Sequence, residues 1–223
     1  MPVCHVVFRN EGDTVDLDYH QQLKQLASRE PQVLGHEAIF KSAVLLPLVR
    51  REGEDCLLFE KRALSLDHQP GEICFPGGKV ELSDKDTGAT AARETCEELG
   101  IRTSQVEVLF PLDIMVSPFN LIVYPFVGRL DEAAQLSPNP DEVESVFYVP
   151  LSYLVNTVPL RSKVRLEVQI PADFPWELIP EGRDYPWRHG SYPQVFYEWQ
   201  NHVIWGMTAR ILEHFLTLLK ATS

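Results

Sequence analysis

Three glutamates in the middle of the chain have the spacing of a metal-binding helix face. At about 100° per residue, Glu94, Glu97 and Glu98 fall within one narrow sector of a helix. Like charges at such spacings destabilise a helix by roughly 0.2–0.5 kcal/mol per pair. A divalent cation would offset this repulsion, because Mg2+ prefers carboxylate oxygens supplemented by water and phosphate. The alternative interpretation is an ordinary solvated acidic face.

The sequence around these carboxylates predicts a helix over residues 87–99. Its start is marked by Asp86 and its end by Gly100. The opposite side of the helix is predicted to be buried, since it carries Ala92, Thr95, Cys96 and Leu99. The preceding Gly77-Gly78 pair permits either a sharp turn or a close approach of the backbone to another group.

Strand signals on both sides of this helix predict an α/β protein. The β-rich runs cover residues 38–49 and 56–62, which read as a hairpin, and then 72–75, 106–110, 121–130 and 143–149. Amphipathic patterns predict a short helix over 16–28 and a helix over 204–219. Residues 171–193, rich in Pro, Trp and Arg, predict a long loop excursion near the substrate site.

Composition sets limits on domains and partners. With 223 residues, 44% of them apolar, we expect a single domain over 1–223, with a core at about 38–220 and an N-terminal extension at 1–37. Twenty Lys and Arg against 32 Asp and Glu give a net charge of −12, which argues against nucleic-acid polymers and anionic membranes as partners. Without a bilayer-spanning apolar run or a signal peptide, the chain is expected in the cytoplasm, and a homodimer is left open.

Residues 78–101 resemble the Nudix box, whose general form is G-x5-E-x7-R-E-U-x-E-E-x-G-U with U an apolar residue. Arg93-Glu94 and Glu97-Glu98 match its second half at every charged position. The first half departs from the pattern, because Asp84 stands where the box has its first Glu, and the interval from Gly78 to Arg93 is one residue longer.

Other segments resemble the coenzyme A pyrophosphatase branch of this superfamily: 58–78, 139–143, 149–151 and 204–209. Two positions of the first segment differ. Glu60 replaces a Thr of the branch motif, and Asp67 replaces an Arg, so that an expected cation has become an anion.

The resemblance implies a Nudix-type α/β/α sandwich with a mixed central sheet and a requirement for Mg2+ or Mn2+. It implies that the metal is held by Glu94, Glu97 and Glu98 and by the Gly78 carbonyl. Arg93 is expected to hold one of these glutamates in position. The general base stays open between Glu97, Glu98 and Glu142.

The resemblance also suggests which residues contact the substrate. Gly77 and Gly78 would let the backbone approach it, and Arg62 and Lys79 would contact its phosphates, although either cation could equally be an ordinary surface residue. In the 171–193 excursion, Arg183 or Arg188 could reach a 3′-phosphate, and Trp176 or Trp187 could stack on an adenine.

The leading functional hypothesis is metal-dependent hydrolysis of coenzyme A or an acyl-coenzyme A to adenosine 3′,5′-bisphosphate and a 4′-phosphopantetheine product. Asp67 and the 171–193 excursion favour an alternative with the same chemistry, in which the substrate is ADP-ribose, NADH or another ADP conjugate. A third hypothesis, a non-catalytic nucleotide sensor, would be expected to have lost the carboxylates that are present here.

Overall fold

The fold is described from a computed structural model that covers residues 19–30, 33–35 and 38–222. The chain divides between Ala38 and Ile39 into two compact units, which are described separately. The first unit contains the helix α1, Tyr19–Ala27. Its first predicted residues, 16–18, lie outside the described range, and the single-domain organisation stays a prediction.

A mixed β-sheet forms the centre of the second unit. Its strands are β1 (Phe40–Arg51), β2 (Glu54–Arg62), β3 (Ile73–Cys74), β4 (Gly77–Lys79), β5 (Val106–Pro111), β6 (Met115–Ser117), β7 (Leu121–Leu130) and β8 (Val143–Pro150). The order is β3-β2-β1-β7-β5, with β4 also on β1, β6 on β7 and β8 on β2. Strand β1 is parallel to β7 and antiparallel to β2, which confirms the predicted hairpin.

The two faces of this sheet are covered by different elements. The remaining α-helices and strands are α2 (Thr87–Leu99), α3 (Leu151–Asn156), β9 (Leu160–Leu166), β10 (Gly190–Trp199), β11 (His202–Trp205) and α4 (Gly206–Ala221). On one face, Ala91 of α2 packs with Ala43 and Leu45. On the other face, Leu212 of α4 shares a core with Phe59. The predicted α/β fold with a mixed central sheet is confirmed.

Helix α2 has the predicted bounds, and its caps explain them. The Asp86 carboxylate accepts a hydrogen bond from the Ala89 amide at 2.8 Å, and Gly100 ends the helix in the left-handed region at a φ of +64°. A Cβ on Gly100 would overlap the Ser137 carbonyl oxygen. The segment 137–142 therefore lies directly against the C-terminal end of α2.

The structure decides one open alternative and corrects other parts of the sequence-based prediction. Of the two alternatives for the Gly77-Gly78 pair, the sharp turn is excluded, because both residues form strand β4 and pair with β1. The 171–193 excursion is shorter than predicted, since β10 already begins at Gly190. Strand β9 was missed because six of its seven residues are exposed, so it lacks the alternation that marks a half-buried strand.

Replacing Gly100 by Ala is expected to destabilise the protein more than replacing Gly53 by Ala. Both glycines have a positive φ, so both variants lose about 1–2 kcal/mol through a left-handed backbone. Only at Gly100 does the new Cβ also meet backbone, whereas Gly53 has no heavy atom within 4 Å. Urea denaturation should show at least about 1 kcal/mol of additional loss for Gly100→Ala. Equal losses would contradict the packing of 137–142 on α2.

Candidate active site

Glu98 is the buried member of the predicted metal-binding face. Its side chain lies between α2 and the sheet with 5% of its surface exposed, and its Oε2 accepts a hydrogen bond from the Gly77 amide at 2.8 Å. Burial raises the pKa of this carboxyl well above its usual range, and the neighbouring Glu60 raises it further. The alternative interpretation of a solvated acidic face is therefore wrong for Glu98.

Glu94 and Glu97 lie on the same helix with increasing exposure. The Glu94 side chain is 17% exposed and that of Glu97 is 55% exposed. A Cβ on Gly78 would overlap the Glu94 carboxylate, so only glycine allows this side chain to lie against β4. The structure thus brings Gly78, Glu94 and Glu98 to one edge of the sheet, and the predicted close approach of the backbone is confirmed.

Arg93 links these carboxylates to the loop before α2. Its Nε and Nη2 donate to the two carboxylate oxygens of Asp84 at 2.9 and 3.0 Å. Its Nη1 lies 3.0 Å from Glu94 Oε1 and 3.1 Å from Glu97 Oε2, so Arg93 contacts two of the glutamates, whereas one was expected. One guanidinium therefore orients both glutamates while it is itself fixed by a two-point contact.

Asp84 takes a structural position in the loop. Besides Arg93, it accepts hydrogen bonds from the Glu81 amide at 3.0 Å and the Thr90 hydroxyl at 2.8 Å. These donors, with Arg93 foremost, hold the pKa of the Asp84 carboxyl well below its usual range. The residue that departs from the box pattern is thus engaged by Arg93.

Glu142 approaches the site from the segment that precedes β8. Its Oε2 accepts a hydrogen bond from Asn139 Nδ2 at 2.9 Å, and the Asn139 amide donates to the Glu98 carbonyl at 2.9 Å. Burial is the main cause of the raised pKa values of Glu94 and Glu98, and the negative charge of Glu142 adds to it. The carboxylate is therefore within electrostatic reach of the helix.

Glu60, which stands out in the sequence only as a departure from the branch motif, lies within electrostatic reach of Glu98. It is 1% exposed, accepts a hydrogen bond from the Cys74 thiol at 3.1 Å through Oε1, and has no partner for Oε2. Burial raises its pKa to about 7. Its burial could have been predicted from the sequence, because strand alternation puts Glu60 on the same side of β2 as the apolar Leu58.

A cavity of about 550 Å³ lies beside β4 and extends over the sheet face covered by α4. Four predicted substrate-binding residues, Arg62, Gly77, Gly78 and Lys79, line it. The remaining lining is largely apolar or aromatic and includes Phe40, Phe75, Phe119, Leu121, Val123, Tyr192, Trp205, Met207 and Ile211. This size is typical of a small-molecule site.

Three polar atoms of the cavity lining are buried without a hydrogen-bond partner: Arg62 Nε, Tyr192 Oη and Gln194 Oε1. Buried polar atoms are normally paired, so these are suited to a polar ligand. Trp176 and Trp187 are not part of the described lining, and both pack against Phe174. Arg183 lies over the Trp176 ring at 5.3 Å.

The donor set at this edge of the sheet fits a hard divalent cation. Carboxylate oxygens are donors that suit Mg2+ or Mn2+. The missing side chain of Gly78 leaves room for the Glu94 carboxylate, and Glu60 Oε2 has no hydrogen-bond partner. Within the described residues, no three His, Cys, Asp or Glu side chains are already arranged as a coordination site. The Arg93 ion pairs use Glu94 Oε1 and Glu97 Oε2, which leaves the second oxygen of each carboxylate outside these contacts.

No helix among the described residues has the length and apolar character needed to cross a membrane.

The family model of the NUDIX domain matches residues 39–167 of this chain. A MutT/nudix family protein from Enterococcus faecalis superposes with a TM-score of 0.47 at 14% identity, over 92% of this chain and 70% of that one.

Two curated relatives are closely similar in sequence. The peroxisomal coenzyme A diphosphatase NUDT7 of Mus musculus is 39% identical over 178 residues, which cover 79% of this chain and 69% of the relative. An uncharacterized Nudix hydrolase NudL of Photorhabdus laumondii is 35% identical over 172 residues, which cover 77% of this chain and 80% of the relative. Since the NUDIX match covers more than half of the chain, this protein belongs to the Nudix hydrolase family and is a Nudix pyrophosphohydrolase.

Proposed function

We propose that this enzyme hydrolyses the pyrophosphate bond of coenzyme A or an acyl-coenzyme A, with adenosine 3′,5′-bisphosphate and a 4′-phosphopantetheine product released. The mouse relative at 39% identity bears the name of a coenzyme A diphosphatase, which supports this substrate class. The branch-like segments of the sequence point to the same substrate class.

The proposal depends most on the position of Gly77 between the α2 carboxylates and the cavity. Its amide holds the Glu98 carboxylate at 2.8 Å, and the same residue lines the 550 Å³ cavity. A pyrophosphate placed at Gly77 and Gly78 would have the carboxylates of α2 on one side and the cavity on the other. This arrangement suits a substrate with a diphosphate in the middle and a bulky group at one end.

Glu94, Glu97, Glu98 and the Gly78 carbonyl are the proposed holders of Mg2+ or Mn2+. When bound, such an ion lowers the pKa of a coordinated water and offsets charge on the pyrophosphate oxygens. Arg93 orients Glu94 and Glu97 from its anchor on Asp84. Its guanidinium keeps the two glutamates in place while they act on the ion.

A carboxylate of the site takes the proton of the attacking water. As the oxygen of water bonds to one phosphorus, the bond from that phosphorus to the bridging oxygen breaks, and the bridging oxygen leaves with the second phosphate. Glu97, Glu98 and Glu142 are the proposed candidates for this base. Glu97 has the greatest access to solvent of the three box glutamates, and Glu142 belongs to the segment before β8, which contacts the end of α2.

Arg62 and Lys79 are proposed to contact the substrate phosphates from the cavity edge. Arg62 donates to the His68 carbonyl through Nη2 at 3.4 Å, while its Nε is unpartnered. The group attached to the diphosphate would occupy the apolar part of the cavity. Tyr192 and Gln194 are placed to donate to and accept from polar atoms of that group.

ADP-ribose, NADH or another ADP conjugate is the second candidate substrate, and the exposed Asp67 favours it. This residue precedes His68 and Gln69, which line the cavity, so it places a negative charge near the cavity edge where the branch motif has an Arg. A 3′-phosphate near this position would be repelled. Three further expectations stay predictions. They are a cytoplasmic location, assembly as a homodimer, and contacts of the substrate with Arg183, Arg188, Trp176 and Trp187.

A substrate panel tests the proposal most broadly. We expect kcat/KM for coenzyme A or an acyl-coenzyme A to exceed that for ADP-ribose and NADH by at least about tenfold, the effect of about 1.4 kcal/mol of selective contact. Products are separated by chromatography after incubation with MgCl2 or MnCl2. Cleavage of ADP-ribose without cleavage of coenzyme A would favour the second candidate.

Replacing Glu98 by Gln should lower kcat by at least about 100-fold, the range expected when a carboxylate of the reaction machinery is lost. The amide keeps the size of the side chain but cannot carry its negative charge. Glu107→Gln is a suitable control, because Glu107 is an exposed strand residue on β5. Undiminished activity of Glu98→Gln in the presence of metal would remove Glu98 from the mechanism.

Replacing Asp84 by Asn should raise the Mn2+ concentration needed for half-maximal activity by about 10–100-fold, as is typical for partners of metal-holding residues. The amide cannot provide the two anionic acceptors that anchor Arg93. Asp86→Asn is the matched control, since Asn also caps a helix well. The same Mn2+ dependence in both variants would show that the anchor on Asp84 does not act on the site.

A further inference from the structure

Glu60 is a carboxylate without an ion pair among the described residues. Burial raises its pKa, and the charge of Arg62 offsets only part of that rise. The side chain is 1% exposed, and burying a charged group is costly unless it is paired. Its Oε1 contacts only the Cys74 thiol, a weak donor that burial keeps protonated by raising its pKa, and its Oε2 has no partner. A buried acceptor without a partner is suited to a ligand that arrives later.

Strand geometry directs Glu60 toward α2. Leu58 of β2 packs in one cluster with Leu99 of α2, and residues two apart on a strand point to the same face. Glu60 therefore lies on the α2 side of the sheet, whereas Phe59 faces the opposite core. The electrostatic effect of Glu60 on Glu98 agrees with this placement.

The chain also connects Glu60 to the glycines of the site. Glu60 pairs with Cys74 across β2 and β3, and three residues after Cys74 comes Gly77, whose amide holds Glu98. Two carboxylates thus reach the same buried region, one from the sheet and one from the helix. The Arg93 ion pairs involve Asp84, Glu94 and Glu97, which leaves Glu60 and Glu98 without a cation among the described ion pairs.

We propose that Glu60 is an additional ligand of the divalent cation, which it binds through its unpartnered Oε2 together with the carboxylates of α2. This inference rests on the metal dependence in the proposed function and adds a ligand from outside the box. A fourth carboxylate increases the negative charge that surrounds the ion. The expected consequence is tighter ion binding, with a less stable protein when the ion is absent.

Binding of Mn2+ alone tests this role without measuring activity. Free Mn2+ is followed by electron paramagnetic resonance at pH 7.5 in titrations of wild type, Glu60→Gln and Glu107→Gln, with no nucleotide present. We expect Glu60→Gln to raise the Kd for Mn2+ by at least about tenfold, whereas Glu107→Gln leaves it unchanged. The metal-free Glu60→Gln protein should have a Tm at least equal to that of wild type, since an unpartnered carboxylate has been removed.

The direction of the change separates a ligand from a neighbouring charge. If Glu60 only repels Glu98, its removal leaves Mn2+ affinity unchanged or makes it tighter, and either result would overturn the proposal. Should Glu60→Gln not fold, Glu60→Thr is titrated in its place, with the same expectations. Wild-type protein that binds no Mn2+ would contradict the proposed metal dependence itself, whereas wild type that binds Mn2+ as tightly as the variant contradicts only the role of Glu60.

Discussion

The buried carboxylate of Glu98 constrains the arrangement of the whole site. Removing a carboxylate from water costs several kcal/mol unless hydrogen bonds or opposite charges compensate for the loss. Here Glu98 Oε2 accepts a hydrogen bond from the Gly77 amide, so β4 must lie at a fixed distance from α2. The cap at Asp86 fixes where α2 begins, and the contact between Gly100 and Ser137 fixes where it ends. Each of these local features therefore contributes to holding one side chain.

The local charge explains how an acidic protein could accept a pyrophosphate. The net charge of −12 repels phosphates at long range, and the α2 carboxylates add to that repulsion unless a cation is present. Arg93 is the cation that lies among the α2 carboxylates, but it is already engaged by Asp84, Glu94 and Glu97. A divalent ion would supply the remaining positive charge next to the cavity. Net charge thus excludes polymers more strongly than it excludes a single nucleotide.

The parts of the site that depend on local sequence were predictable, and those that depend on long-range pairing were not. Helix α2 was predicted correctly because its caps and apolar spacing lie within 15 residues, from Asp86 to Gly100. The burial of Glu98 depends on β4, whose pairing with β1 has no signal in a Gly-Gly pair. The burial of Glu60 likewise depends on long-range contacts, because its surroundings are formed by β3 and α2. The cavity combines residues from Phe40 to Ile211, so its lining could not be assembled from spacing alone.

The position of a bound ion tests the central claim most directly. In crystals grown with MnCl2, the anomalous scattering of manganese locates the ion without assumptions about its ligands. We predict a peak at about 2 Å from carboxylate oxygens of Glu98 and Glu94, beside Gly78 and the entrance of the cavity. An anomalous peak elsewhere in the protein, with no manganese at the carboxylates of α2, would contradict the account.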